Sequence, residues 1–205
     1  MINKLQVNLA EAERDGILDY AHFNDFLTLA LKPQARPISE SPIISPVDGV
    51  VAQAGKIKDS QILQAKGHHF SLSQLLSGES IEKIENGHFA TFYLAPKDYH
   101  RIHMPLDGKL VSMRYIPGTL FSVNHKTVNK VNGVFARNER LVCLFDTYFG
   151  RVAFVLVGAI FVGSMETSWL GQITPPYGIE VKVYDYTEKE LELFKGNVLG
   201  RFNIC

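Results

Sequence analysis

Two histidines stand three residues apart in Asp98-Tyr99-His100-Arg101-Ile102-His103-Met104-Pro105. An imidazole takes and gives protons near neutral pH, and a carboxylate partner can fix its tautomer. In a helical turn the two rings would share a face, and in a flat strand they would oppose. Pro96 and Pro105 favour an irregular turn, in which both rings can approach one pocket. Zinc is the rival reading. The chain has no His-Glu-x-x-His, no His-x-His and no Cys-x-x-Cys, so no metal site is expected. The carboxylate candidate is Asp48 in Ser45-Pro46-Val47-Asp48-Gly49, where a rigid corner would orient it at small entropic cost. The bland alternative is a plain Asp-Gly turn. Further candidates run from Asn138-Glu139-Arg140 to Glu166-Thr167, with Asn124-His125 in a loop.

The elements that must hold these residues are short. The 205 residues carry 21 Lys+Arg and 21 Asp+Glu, and this balance removes any broad electrostatic drive toward nucleic acid. With 46% hydrophobic residues the chain can bury a sizeable core. Two cysteines, Cys143 and Cys205, make no disulfide framework and fit a reducing compartment. The polar start, Met1 to Glu13, is no signal peptide. The longest apolar run, Val152 to Gly163, falls short of the roughly 20 residues of a spanning helix. It reads as a buried strand bent or interrupted at Gly158.

Residues 1–32 look helical, with apolar residues at three- and four-residue spacing, a break at Gly16, and a second short helix around Asn24 to Leu27. Lys32-Pro33 and Arg36-Pro37 end it. The segment is either an amphipathic cap on the main fold or an interfacial membrane helix. Beyond residue 38, apolar runs at Ile43-Ile44, Val50-Val51, Phe89–Leu94, Leu110–Ile116, Leu141–Phe145, Val152–Phe161 and Val181–Tyr184 read as strands. Leu72–Leu76 reads as a helical turn capped by Ser71 or Ser73, and Lys189–Phe194 as another short helix. Pro46-Val47-Asp48-Gly49 is echoed by Pro105-Leu106-Asp107-Gly108. Each predicts a corner with positive φ and hints at pseudo-symmetry. The expected fold is α+β, mostly β: a barrel- or sandwich-like antiparallel core (38–205) behind a short N-terminal helical segment (1–37), forming one domain overall.

These residues resemble the phosphatidylserine decarboxylase family of bacteria, in particular the larger β part of its proenzyme. The resemblance runs through Phe23-Asn24-Asp25-Phe26, Arg36-Pro37-Ile38, Ser45 to Gly49, Ile62 to Gly67, Tyr93 to Pro105, Pro117 to Asn124, Phe135-Ala136-Arg137-Asn138-Glu139-Arg140, Val157-Gly158-Ala159, Val162 to Thr167 and Leu199-Gly200-Arg201-Phe202. It implies a self-made cofactor. A serine in a Leu-Gly-Ser-Thr motif attacks the preceding carbonyl, β-elimination cuts the chain, and the new N-terminus becomes a pyruvoyl group. That carbonyl captures the amine of phosphatidylserine as a Schiff base and takes up the electrons as CO₂ leaves, giving phosphatidylethanolamine.

By resemblance His103 is the base for self-cleavage, Asp48 orients it, His100 protonates the carbanion, and Tyr93 lines the substrate pocket. The pyruvoyl-forming serine is absent from this chain, and Cys205 falls where the glycine before the cut would stand. Two expectations compete: a processed β chain whose α chain is separate, or a truncated relative that cannot make the cofactor. Either way this polypeptide alone is expected to be inactive. The implied partners are the pyruvoyl-bearing α chain, phosphatidylserine, a membrane surface bound peripherally on its cytoplasmic side, and a second copy of the chain. Two other functions stand beside the decarboxylase: an inactive relative that binds phospholipid, and a histidine phosphocarrier-like module.

Overall fold

The computed structural model describes residues 8–65, 67–78 and 81–204. The N-terminal segment holds less helix than its periodicity suggests. It has two 3₁₀ turns, Leu9–Glu11 and Ile17–Asp19, and one short helix, α1 (Phe23–Leu27). Gly16 does break the pattern, as the cap of the second turn. His22 starts α1 by accepting a hydrogen bond on its side chain from the Asp25 amide. Ala12, Tyr20, Phe26 and Leu29 form a small core there, with Tyr99 packed against it.

The β elements follow. They are β1 (Val50–Lys56), β2 (Gln61–Ala65), β3 (His68–Ser71), β4 (His88–Tyr93), β5 (Arg101–His103) and β6 (Gly108–Ile116). Then come β7 (Arg140–Thr147), β8 (Gly150–Val157), β9 (Ser164–Thr167), β10 (Gly171–Gln172), β11 (Lys182–Asp185), β12 (Glu192–Leu193) and β13 (Val198–Asn203). Three short helices interrupt them: α2 (Leu72–Leu76), α3 (His125–Val128) and α4 (Val134–Arg137). All strand pairings are antiparallel. The larger sheets run β11-β6-β7-β8, with β12 also on β6, and β10-β9-β13-β5; β1 pairs β4 and β2 pairs β3. The sheets do not close into a barrel. Among the described residues no helix is long and apolar enough to cross a membrane.

The core follows from alternation along β7. Leu141, Cys143 and Phe145 enter a core shared with Ile102, Met165, Leu199 and Phe202 of the site-bearing sheet. Val142 and Leu144 point the other way, onto Ile62, Phe70 and α2. A strand buried on both faces reads as a continuous apolar run, as Leu141–Phe145 does.

Several expectations need correction. Ile43-Ile44 is not a strand: its two flanking prolines leave it bends, and the Ile44 amide donates to Pro105 O at 3.0 Å. Lys189–Phe194 is not a helix. Leu191 and Leu193, two apart, pack on the core with strand spacing, and Glu192–Leu193 pairs β6. The run 152–161 is half-buried and stops at Val157, where the Gly158 amide donates to Glu139 O. Neither Gly49 nor Gly108 is among the glycines of positive φ. Gly49 is demanded by close approach instead, since a Cβ there would lie 2.6 Å from Tyr93 O, whereas one on Gly108 would be tight against Phe145 Cβ at 3.2 Å. Ser71 does precede α2, but its hydroxyl meets that of Ser73 and makes no cap bond.

Candidate active site

β5 is an edge strand, and the site is built on its two sides. On one side β13 pairs with it, Val198 opposite His103 and Arg201 opposite Arg101. On the other, the His103 amide donates to Pro46 O at 2.8 Å. The histidine motif and the Ser45–Gly49 corner are thus joined through their backbones. Ile102 is buried in the main core, which fixes the strand's rotation. The backbone here is extended, not the irregular turn that would aim both rings at one spot. His100 is buried at 2% exposure and His103 is half-buried.

His103 is held at both ring nitrogens. Nδ1 lies 2.8 Å from the carbonyl oxygen of Gly196, and Nε2 lies 3.1 Å from the Tyr99 hydroxyl. A carbonyl only accepts, so Nδ1 carries the hydrogen and donates, while Tyr99 donates to the lone pair of Nε2. The Tyr99 ring stacks on the imidazole, centroids 5.7 Å apart. Burial pushes the Tyr99 phenol up against the opposing charge of Arg101, so it stays protonated.

Asp48 faces Arg36. Its Oδ2 accepts from Nε at 2.8 Å and from Nη2 at 2.5 Å, and Nη1 of the same guanidinium reaches Glu11 Oε2 at 2.9 Å. The paired Asp48, and then Glu11, raise the Arg36 guanidinium above its ordinary value. Asp48 thus pairs with Arg36 within electrostatic reach of Tyr99, while the groups bonded to the His103 ring are Gly196 and Tyr99.

His100 is the opposite case. Both of its ring nitrogens are buried without a hydrogen-bond partner among the described residues. Burial lowers its basicity; Asp98 and the carbonyls of Pro96 and Ala95 lean the other way without completing a bond. Leaving buried polar atoms unpaired costs about 1–3 kcal/mol each. An orphaned ring of this kind fits a partner delivered from elsewhere.

The end of β13 meets that ring's backbone. The Phe202 amide donates to His100 O at 3.3 Å, and the Ile204 amide donates to Asn24 Oδ1 at 2.8 Å. Glu166 Oε2 accepts from Arg201 at 2.8 Å and from Asn203 at 3.3 Å. Val198, opposite His103, precedes Ile204 by six residues, roughly 20 Å of extended chain. The strand therefore delivers its end to His100 first. Among the described residues no group of three or more His, Cys, Asp or Glu could hold a metal.

With this geometry in hand, the family model described as phosphatidylserine decarboxylase matches residues 23–204. The chain belongs to the phosphatidylserine decarboxylase family. It is 51% identical over 206 residues to the phosphatidylserine decarboxylase proenzyme of Polaromonas sp. (strain JS666), covering 98% of this chain and 72% of that one. It is 52% identical over 199 residues to the proenzyme of Methylobacillus flagellatus, covering 96% and 71%. It is 52% identical over 210 residues to that of Pseudoalteromonas atlantica, covering 99% and 73%.

In this decarboxylase-family chain the remaining motif blocks are mostly structural. Asn138 Nδ2 donates to Phe121 O and Gly158 O at 2.8 Å each, and Oδ1 accepts from the Phe121 amide at 3.1 Å. Arg140 caps the end of α2, donating to Leu75 O at 2.6 Å, Gln74 O at 2.8 Å and Asn138 O at 2.9 Å. Glu139 turns the other way and accepts from the Tyr115 hydroxyl at 2.5 Å. Burial raises both groups, Tyr115 to about 12. Gly118 lets the Pro117–Asn124 loop lie on this node, because a Cβ there would sit 2.5 Å from Arg137 O.

Tyr93 pairs with Val50 at the Asp48 corner and is half-buried. Cys205, like Lys66 in the 62–67 block, lies outside the described residues. The residues that sequence reasoning missed as parts of the site are Tyr99, Gly196 and Arg36. Tyr99 lies inside the quoted motif. The turn signal Lys195-Gly196-Asn197 just before the last strand was there to be read.

Proposed function

We propose that this chain is the β part of a phosphatidylserine decarboxylase, acting with an α chain whose first residue bears a pyruvoyl group. The single observation that carries the reading is the buried His100 ring, without a hydrogen-bond partner among the described residues, three positions along an extended segment from a base held in a defined tautomer. The pyruvoyl carbonyl, when present, supplies the electron sink for loss of CO₂ from the substrate. This chain supplies the proton handling. His103 offers the Nε2 lone pair to a serine hydroxyl, once that hydroxyl replaces Tyr99 as donor, and so makes a weak nucleophile attack. Asp48, paired with Arg36, belongs to the corner whose Pro46 carbonyl accepts the His103 amide, and it acts by holding that corner in place. His100, once it has taken up a proton, can pass it to the substrate carbon after CO₂ leaves, returning to the neutral ring that its burial favours. We assign Tyr93, whose backbone pairs with Val50 next to the Asp48 corner, to the lining of the head-group pocket.

The substrate is a bilayer lipid, so we assign the chain to the cytoplasmic face of the membrane as a peripheral protein. The exposed Ile38, Ile43 and Phe194 near the Gly196 turn support that assignment. Open edges on β8 and β11 leave room for a second copy. The phosphocarrier reading loses its footing: one imidazole is buried and the other is engaged at both nitrogens.

The test is co-production with a C-terminal segment that restores the serine. Release of labelled CO₂ from phosphatidylserine vesicles is expected. His103→Ala should block chain cleavage, whereas His100→Ala should leave cleavage intact and abolish CO₂ release. Normal cleavage in His103→Ala, or full CO₂ release in His100→Ala, would remove the assigned role.

A further inference from the structure

The second Asp-Gly corner, Pro105-Leu106-Asp107-Gly108, has no part in the reaction described so far. Its aspartate nevertheless reaches the site. Asp107 Oδ1 accepts the Lys195 amide at 2.6 Å, the shortest tie on the turn from Phe194 to Asn197. That turn is closed by Asn197 Oδ1, which accepts the Phe194 amide at 2.9 Å. It is docked by a reciprocal backbone pair, Gly196 N to Met104 O and Met104 N to Asn197 O, both 2.8 Å. At its apex Gly196 has φ +86°, a conformation that glycine tolerates and other residues resist. The carbonyl it presents is the one bonded to Nδ1 of His103. The two echoed corners thus serve one residue: the Pro46 carbonyl of the first accepts the His103 amide, and Asp107 of the second holds the turn that touches the His103 ring.

We propose that Asp107 is a positioning residue that, through the Lys195–Gly196 turn, sets the tautomer of His103, the Gly196 carbonyl taking the orienting place that a carboxylate would otherwise fill. The inference rests on reading His103 as the base and goes beyond it, because it names what makes Nε2 the basic nitrogen. Nδ1 is committed to a fixed acceptor. Only Nε2 retains a lone pair, and only Nε2 faces the hydroxyl of Tyr99. Asp48 is engaged by Arg36, so neutralising its charge leaves the ring bonds in place.

The test reads the tautomer by ring-nitrogen NMR on the chain itself, labelled with ¹⁵N-histidine at a pH where His103 is neutral. Wild type should show Nδ1–H and an unprotonated Nε2. Asp48→Asn should leave that unchanged. Asp107→Ala should lower the ratio of Nδ1–H to Nε2–H by about tenfold, the worth of one ordinary hydrogen bond. Asp107→Asn, whose side-chain oxygen can still accept the Lys195 amide, should restore it. Amide spectra of each variant report whether the chain is folded. An Nε2–H form in wild type, an unchanged ratio in folded Asp107→Ala, or an Asp48→Asn shift as large as that of Asp107→Ala would overturn the proposal. The measurement involves no reaction. Failed cleavage with the tautomer intact would therefore count against the catalytic reading and not against this one.

Discussion

Replacing His100 by leucine should strengthen the fold while destroying the function. The ring is 2% exposed and both nitrogens lack partners among the described residues, so the native state bears a desolvation cost that an apolar side chain of similar volume does not. A gain of about 1–2 kcal/mol at pH 7.5 is expected. The same burial makes stability depend on pH. The unfolded chain binds a proton at His100 near pH 6.5, and the folded chain does so only at lower pH, because burial lowers its basicity. As pH falls below 6.5 the unfolded state takes up more protons, and stability is lost at a slope that cannot exceed about 1.4 kcal/mol per pH unit. Below the folded-state value the slope vanishes.

Glu139 works in the opposite sense. Burial raises its carboxyl, so the folded state takes up its proton first and gains stability as pH falls toward the ordinary carboxylate range. The quantity that isolates His100 is therefore the difference between wild type and His100→Leu, measured by urea unfolding at half-unit steps from pH 7.5 to 5. That difference should widen steadily below pH 6.5. Parallel curves for the two proteins would refute the reasoning, because they would mean that the ring is solvated or hydrogen-bonded and titrates alike in both states.

Two further outcomes can be checked with the same material. Arg140→Lys keeps a charge but cannot span three carbonyls on two elements; it should cost about 2–4 kcal/mol in urea unfolding, with unchanged m-value. Cys143 is fully buried and its thiol is pushed up by that burial, so in a Cys205→Ser background it should resist aromatic disulfide reagents in the native state and react only on unfolding.

How much of this could be read from the residues varied with what held each element in place. The runs Leu110–Ile116 and Leu141–Phe145 are strands because their side chains alone dictate burial. β5 and β13 were invisible as strands. Arg101-Ile102-His103 and Leu199-Gly200-Arg201-Phe202 are short and mixed, and they become a ladder only because Gly200 lets β9 press against it: a Cβ there would collide with Glu166 O. The candidate residues Asp48, His100 and His103 stood out by type and spacing. Their partners did not. Gly196 acts through a backbone carbonyl 93 positions from His103, and no residue pattern encodes which carbonyl meets which ring. Arg36 looked like the end of a helix and is instead the counter-charge of Asp48.

The N-terminal segment has a small core of its own, Ala12, Tyr20, Phe26 and Leu29, and is tied down by what it touches elsewhere. Among the described residues these contacts include several at the candidate site: Tyr99 against its core, Thr28 O accepting from Arg101 at 3.1 Å, Asn24 on Asn203 and Ile204, and Arg36 on Asp48. Linkage runs both ways. Whatever loosens the segment withdraws Tyr99 from His103, the counter-charge from Asp48 and the clasp from the end of β13. The segment that read as an amphipathic cap or an interfacial helix is thus a wall of the candidate site.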